Sequence, residues 1–155
     1  MTLTLFVYLL SLVCWLGGMV FFSIFTAPVI FSVLTRIDAG KVVSGIFPRY
    51  YLLGYIAGGI ALVLASYFCV LRPARLWWIL TAVALAFSLG LTVYAGAMLR
   101  PRIEAIHLVV EEPNPDPARQ AQFDRLHRLS VSLNGGVMVL NLLALLGTSA
   151  ALSRP

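Results

Sequence analysis

The sequence predicts an all-α integral membrane protein of four transmembrane helices, with short interfacial helices after the first and third spans. Three observations carry that reading. Of 155 residues, 61% are hydrophobic and 11% are charged, where soluble domains run nearer half and a quarter. The mean hydropathy is +0.95. Apolar runs fall at about 3–25, 50–71, 76–99 and 129–151, each near the roughly 20 residues that cross a hydrocarbon core of about 30 Å. They take up most of the chain, so one four-helix membrane domain over 1–155 is expected and a soluble globular enzyme is excluded.

The first 35 residues carry no charge, and as one helix they would measure about 50 Å at 1.5 Å per residue. Pro28 supplies the interruption, since it has no N–H for the carbonyl of Ile24 and its ring crowds that turn. The first span is expected to kink or end there. With no basic residue ahead of its apolar stretch and no convincing cleavage site, it reads as a retained membrane helix and not as a signal peptide. Next, Val42, Val43, Ile46 and Phe47 set against Arg36, Asp38, Lys41 and Arg49 suggest a helix over about 38–47 lying in the interface, closed by Pro48.

In the second span Gly54, Gly58, Ala61 and Ala65 make one face small, which lets helix backbones approach closely. The turn Arg72-Pro73-Ala74-Arg75 is so short that spans two and three must be antiparallel neighbours, and Trp77 and Trp78 are expected in an interfacial aromatic belt. The third span carries Thr81, Ser88 and Thr92 on one side and Ala86 and Gly90 on another, ending at Arg100-Pro101-Arg102. Ile103, Ile106 and Val110 opposite Glu104 and Glu111 predict a second interfacial helix, broken at Pro113-Asn114-Pro115. Asp116 as an N-cap acceptor and Pro117 at the first helical position then open a helix that can run to Leu152.

Eleven Lys and Arg against six Asp and Glu give a net charge of +5. No basic stripe carries interleaved aromatics, so nucleic acid is not an expected partner; the cations suit anchoring at lipid head groups. Eight of the eleven lie in the connections joining spans one to two and three to four, which places both termini together on the non-cytoplasmic side. Cys14 and Cys69 sit in different runs at different depths and read as two buried thiols, not as a disulfide.

The last span concentrates the polar chemistry. His127, Asn134, Asn141 and Thr148 recur every seven residues, with Ser130 and Met138 on the same face; seven residues are two turns with about 20° of drift. Amide groups are unfavourable against lipid, so this face looks into the protein, a partner subunit or water. One reading is interhelical hydrogen bonding. The other is a solute path or binding cleft, with His127, Ser130, Asn134 and Asn141 as its polar groups, Arg102, His107 and the Phe47-Pro48 corner closing over it, and Phe123 with Tyr50 and Tyr51 as apolar walls.

His107 and His127 fall at one membrane face and could ligate a b-type haem or a transition metal. Only Glu104 stands near them at ligand spacing, so no cofactor is predicted and haem is kept as the alternative. No motif for covalent catalysis or phosphate binding is present. No predicted span contains an acidic residue, which disfavours a proton-coupled transporter. The expected function is therefore non-enzymatic passage or export of a small solute or metal complex along the polar face of span four. Haem- or quinone-based electron transfer near His127, or a purely structural scaffold, are the alternatives. The small-residue faces and the polar stripe together predict a homo-oligomer.

The run Phe123-Asp-Arg-Leu-His127-Arg-Leu-Ser130-Val-Ser-Leu-Asn134 resembles the F-x-x-x-H-x-x-S-x-x-x-N signature of the transmembrane protein 205-like family. Phe25, Pro28 and Phe31, Ala39-Gly40, Phe47-Pro48 with Tyr50-Tyr51, and Pro101 follow the same pattern in order. The resemblance implies a four-span fold and a site at His127, Ser130 and Asn134. It implies no reaction, and the eukaryotic members have a longer loop between spans three and four.

Overall fold

The computed structural model describes residues 2–71, 73–110 and 116–154, with the side chains of 36 and 107–110 outside the description. The described residues are almost all helical and include no strand. In chain order they form α1 (Thr2–Val20), a π-helical turn (Phe21–Thr26), α2 (Ala27–Val33), α3 (Arg36–Leu71), α4 (Arg75–Val93), a second π turn (Tyr94–Leu99), α5 (Arg100–Val110) and α6 (Pro117–Leu152). Four stretches, Thr2–Val33, Ile37–Leu71, Arg75–Ile106 and Pro117–Leu152, are long and apolar enough to cross a membrane. This is an all-α integral membrane protein.

Its helices pack as a ring, α1 against α3, α3 against α4, α4 against α6 and α6 back against α1. The small face of α3 is what admits α1. Trp15, buried, lies in a notch at Gly54 and Gly58, where a Cβ on Gly58 would stand 2.7 Å from the indole ring. Ala57, Ala61 and Ala65 continue that contact and are likewise buried. At the end of the bundle holding the α3–α4 turn, Trp78 turns inward, its ring 4.8 Å from Phe68 and 5.7 Å from Tyr8. The expected belt position therefore fails for Trp78, which is wholly buried. Trp77 keeps an outer position, with the Arg154 guanidinium over its ring at 5.4 Å.

The prolines act differently from the sequence expectation. Pro28 does not end the first helix: the backbone widens into the π turn before it, where the Ala27 N–H reaches the Phe22 carbonyl, and helix resumes through Val33. The chain leaves helical geometry at Leu34, which is extended. Tyr94–Leu99 repeats the device before Pro101, with the Arg100 N–H on the Ala95 carbonyl. A five-residue turn relieves the clash between a proline ring and the carbonyl four residues back. Consequently α5 continues the third span and is not a detached interfacial helix.

Pro48 does not close a separate helix either. Residues 38–47 are the opening turns of α3, which runs unbroken through Pro48. Their inner face explains this: Ala39 and Val43 are buried, and the Phe47 ring packs on Phe22 and Tyr51 at 5.7 and 5.9 Å. Burial against the bundle outweighs the interfacial location that amphipathicity alone suggests. The expected break at Pro113–Pro115 lies outside the described residues. α6 begins as its sequence dictates, with the Asp116 carboxylate accepting from the Ala118 N–H at 3.0 Å.

No charged residue occurs in 50–71, 76–99 or 129–153, so Arg49, Arg100 and Arg128 mark one boundary of the hydrocarbon. At 1.5 Å per residue each stretch covers slightly more than the roughly 30 Å of that core. α2, the first turns of α3, α5 and the start of α6 consequently stand beyond the boundary, at head-group level and above. They form a shoulder on the bundle.

Candidate functional site

The shoulder encloses a cavity of about 290 Å³, at the lower end of the roughly 300–1,000 Å³ usual for small-molecule sites. Its two sides differ in chemistry. One is built from α2 and the opening turns of α3, where Phe31, Ile37, Val43 and Phe47 project into the space and Ser44 is the polar exception. The other comes from α5 and α6 and offers Arg100, Glu104, Gln120, His127 and Ser130, with Phe123 and Ile103 between them. Tyr51 joins the two at the inner end, where its phenol interacts with the Ser130 hydroxyl and at longer range with the Arg100 guanidinium.

Electrostatically the polar side is paired but not saturated. Arg100 Nη2 donates to Glu104 Oε2 at 3.3 Å, an i,i+4 pair on α5. Its Nε is buried and has no hydrogen-bond partner. An unpaired buried guanidine N–H is costly, and its burial shuts this atom off from the cavity, which the Arg100 side chain otherwise lines. Gln120 Nε2 is held by Asp124 at 3.0 Å. The His127 imidazole stacks on the Phe123 ring, centroids 5.9 Å apart and planes within 8°.

Of the residues singled out in the sequence, His127, Ser130, Phe123 and Phe47 line this cavity, and Pro48 does not. Arg102 is exposed and absent from the lining; Arg100 takes the place expected for it. The side chain of His107 lies outside the described residues, and with it the two-histidine haem geometry. Among the described residues no group of three His, Cys, Asp or Glu could hold a metal ion.

Asn134 and Asn141 are placed elsewhere, as rungs of a hydrogen-bond ladder. Tyr50 donates to Asn134 Oδ1, and Asn134 Nδ2 donates to Ser23 Oγ at 2.9 Å. Two turns deeper, Ser88 donates to Asn141 Oδ1 at 3.1 Å while Asn141 Nδ2 meets Met19 Sδ at 3.6 Å. Two turns further, the Tyr8 and Thr148 hydroxyls pair at 2.6 Å, and Thr148 donates onward to the Ala144 carbonyl. Each rung ties α6 to the first span. Below Tyr51 and Ser130 lies a gap of about 20 Å³, beside Trp15, Tyr50 and Asn134, room for a single water. The polar stripe is thus open at its His127 end and closed by helix contacts along the rest of its length.

The signal missed in the sequence was the wall from α2 and early α3, since residues 38–47 were expected to lie flat in the interface. Ser44, three residues before Phe47 on the same helical face, was the available clue.

Residues 10–112 match the family model described as a domain of unknown function, DUF4149. That match stops short of the Phe123-to-Asn134 block on which the resemblance to the transmembrane protein 205-like family mainly rests. An uncharacterized protein of Aquifex aeolicus (strain VF5) is 50% identical over 56 residues, 36% of this chain and 41% of that relative. The chain thus aligns with less than half of that relative's length. No solved structure matches.

Proposed function

We propose a function on one premise: the chain belongs to the DUF4149 family, a domain of unknown function, and has to be read from its own site. On that reading it is a non-enzymatic membrane protein that takes a small, partly apolar solute into the shoulder cavity at head-group level. The observation that carries it is a space of about 290 Å³ with an apolar side and a hydrogen-bonding side that includes Arg100 and Ser130. Passage or export of the solute along α6 is the finer form of the proposal, and it requires the Tyr50–Asn134–Ser23 rung to open. The distribution of Lys and Arg supports a reading with both termini on the non-cytoplasmic side. The kinship suggested by the His127, Ser130 and Asn134 block is part of this proposal.

The test is the small-molecule content of the protein purified in mild detergent, by native mass spectrometry and by extraction. Wild type is expected to carry a co-purified organic molecule that Ser44→Trp, which fills the cavity, loses without a change in thermal stability. Equal content in both proteins, or none in either, would overturn the reading. A Soret band in the same preparation would instead favour electron transfer through haem.

A further inference from the structure

We infer that the solute held by this cavity is a lipid-soluble quinone: a flat, uncharged ring with carbonyl oxygens, carried on an apolar tail. The inference rests on the proposed binding role and names its ligand class. Three features of the site select it.

The first is charge. Arg100 is already paired with Glu104 at 3.3 Å, so an anionic head would meet the Glu104 carboxylate and a cationic one the guanidinium. A neutral head avoids both penalties. The second is hydrogen bonding. The Arg100 guanidinium can only donate, and it lines the same space as the Ser130 hydroxyl on the adjoining helix. A head presenting two acceptors suits this pair, whereas a head that presents only donors finds no acceptor on the guanidinium. The third is shape and route. Phe31, Phe47, Tyr51 and Phe123 surround the space with aromatic rings, which pack on a flat ring with favourable offset or edge geometry. Phe31 and Ile37 line the space and are themselves about half exposed, and Ile24, seven residues before Phe31 in the first span, is exposed as well. This charge-free strip gives an apolar tail a path from cavity to lipid.

The experiment uses the full-length protein in nanodiscs with decylubiquinone as the probe, measured by isothermal titration. Decanoic acid and decanol, which share its tail length, are titrated in parallel. Saturable binding of decylubiquinone, at least tenfold tighter than either comparison, is expected. Arg100→Lys keeps a cation beside Glu104 but removes the guanidinium's planar fork of N–H donors, and it should weaken decylubiquinone at least tenfold while changing decanol less than twofold. Ser44→Trp should abolish binding, and Gly59→Ala, remote from the cavity, should leave it unchanged. Should Arg100→Lys fail to fold, the contrast between Ser44→Trp and Gly59→Ala still decides. Decanoic acid or decanol binding as tightly as the quinone would overturn the ligand class while leaving a small-solute site standing. No saturable quinone binding, or binding indifferent to Ser44→Trp, also overturns it; the co-purification result then judges the site independently.

Discussion

At Asn141 a primary amide sits in the middle of a membrane bundle, almost wholly buried, with Ser88 and Met19 as partners from two other helices. Interhelical hydrogen bonds of this kind contribute only about 0.6 kcal/mol each on average, because the alternatives within the membrane also satisfy polar groups. Asn141→Ala removes two of them and leaves a small void. It is expected to cost about 1–3 kcal/mol, read as a lower unfolding midpoint in nanodiscs, with quinone or solute binding retained. Loss of binding at unchanged stability would instead make Asn141 part of the path. Glycine gives a sharper contrast. Gly58→Ala drives a Cβ to within 2.8 Å of two Trp15 ring carbons, while Gly59, its neighbour, has nothing within 4 Å. Trp15 is packed and cannot retreat, so Gly58→Ala should destabilise by about 1–3 kcal/mol. Gly59→Ala should be neutral or stabilising by up to about 1 kcal/mol, from helix propensity. The two midpoints, measured side by side, check the packing of α1 on α3.

Among elements, α6 was the most legible in the sequence and α5 the least. The start of α6 depends on chemistry local to Asp116 and Pro117, a side-chain acceptor for an orphan N–H and a residue that needs no partner for its own nitrogen. Asp116→Ala should therefore cost about 1 kcal/mol and raise amide exchange at Ala118 to Gln120, with little effect deeper in the bundle. The seven-residue recurrence likewise fixed which face of α6 turns inward, and so brought His127 and Ser130 to the cavity correctly. Prolines carry less information. The same missing N–H was expected to kink or end a helix at Pro28 and to end one at Pro48; it is absorbed by a π turn before Pro28 and Pro101 and passed without a break at Pro48. Which outcome occurs depends on tertiary contact, such as burial of Ala39 and Val43, and no local pattern encodes that. At the start of α5, Arg100 and not Arg102 lines the site.

For the whole molecule, the faces once expected to serve a homo-oligomer are largely used within one chain. Gly54 and Gly58 hold Trp15, and the α6 stripe holds the first span. What remains is the strip at Ala86 and Gly90 on α4, exposed and with open space over Gly90. A homo-oligomer, if formed as proposed, should pass through that strip, so Gly90→Leu should convert it to monomer by mass measurement in nanodiscs. A wild type that is monomeric at micromolar concentration refutes the assembly outright.

The relation between cavity and ladder also makes a statement about access from the two sides of the membrane. The space is lined at its inner end by Tyr51 and Ser130, and beyond it the Asn134, Asn141 and Thr148 rungs join α6 to the first span, with a gap of about one water near Asn134. A solute at Ser130 therefore communicates with the loop-side shoulder and not with the end of the bundle that carries Trp77 and Arg154. Single cysteines report this directly once Cys14 and Cys69 are replaced by alanine and serine. Ser130→Cys should react with a membrane-impermeant maleimide added on the shoulder side, and its labelling should be slowed by decylubiquinone. Ser88→Cys, buried against Asn141, should resist the reagent from either side. Labelling in sealed cells against inverted vesicles further shows which compartment the shoulder faces, and reaction from inverted vesicles alone is the outcome expected for termini outside. Reaction of Ser88→Cys from the opposite side would mean that the ladder opens in the membrane, and the one-ended cavity would give way to a through path.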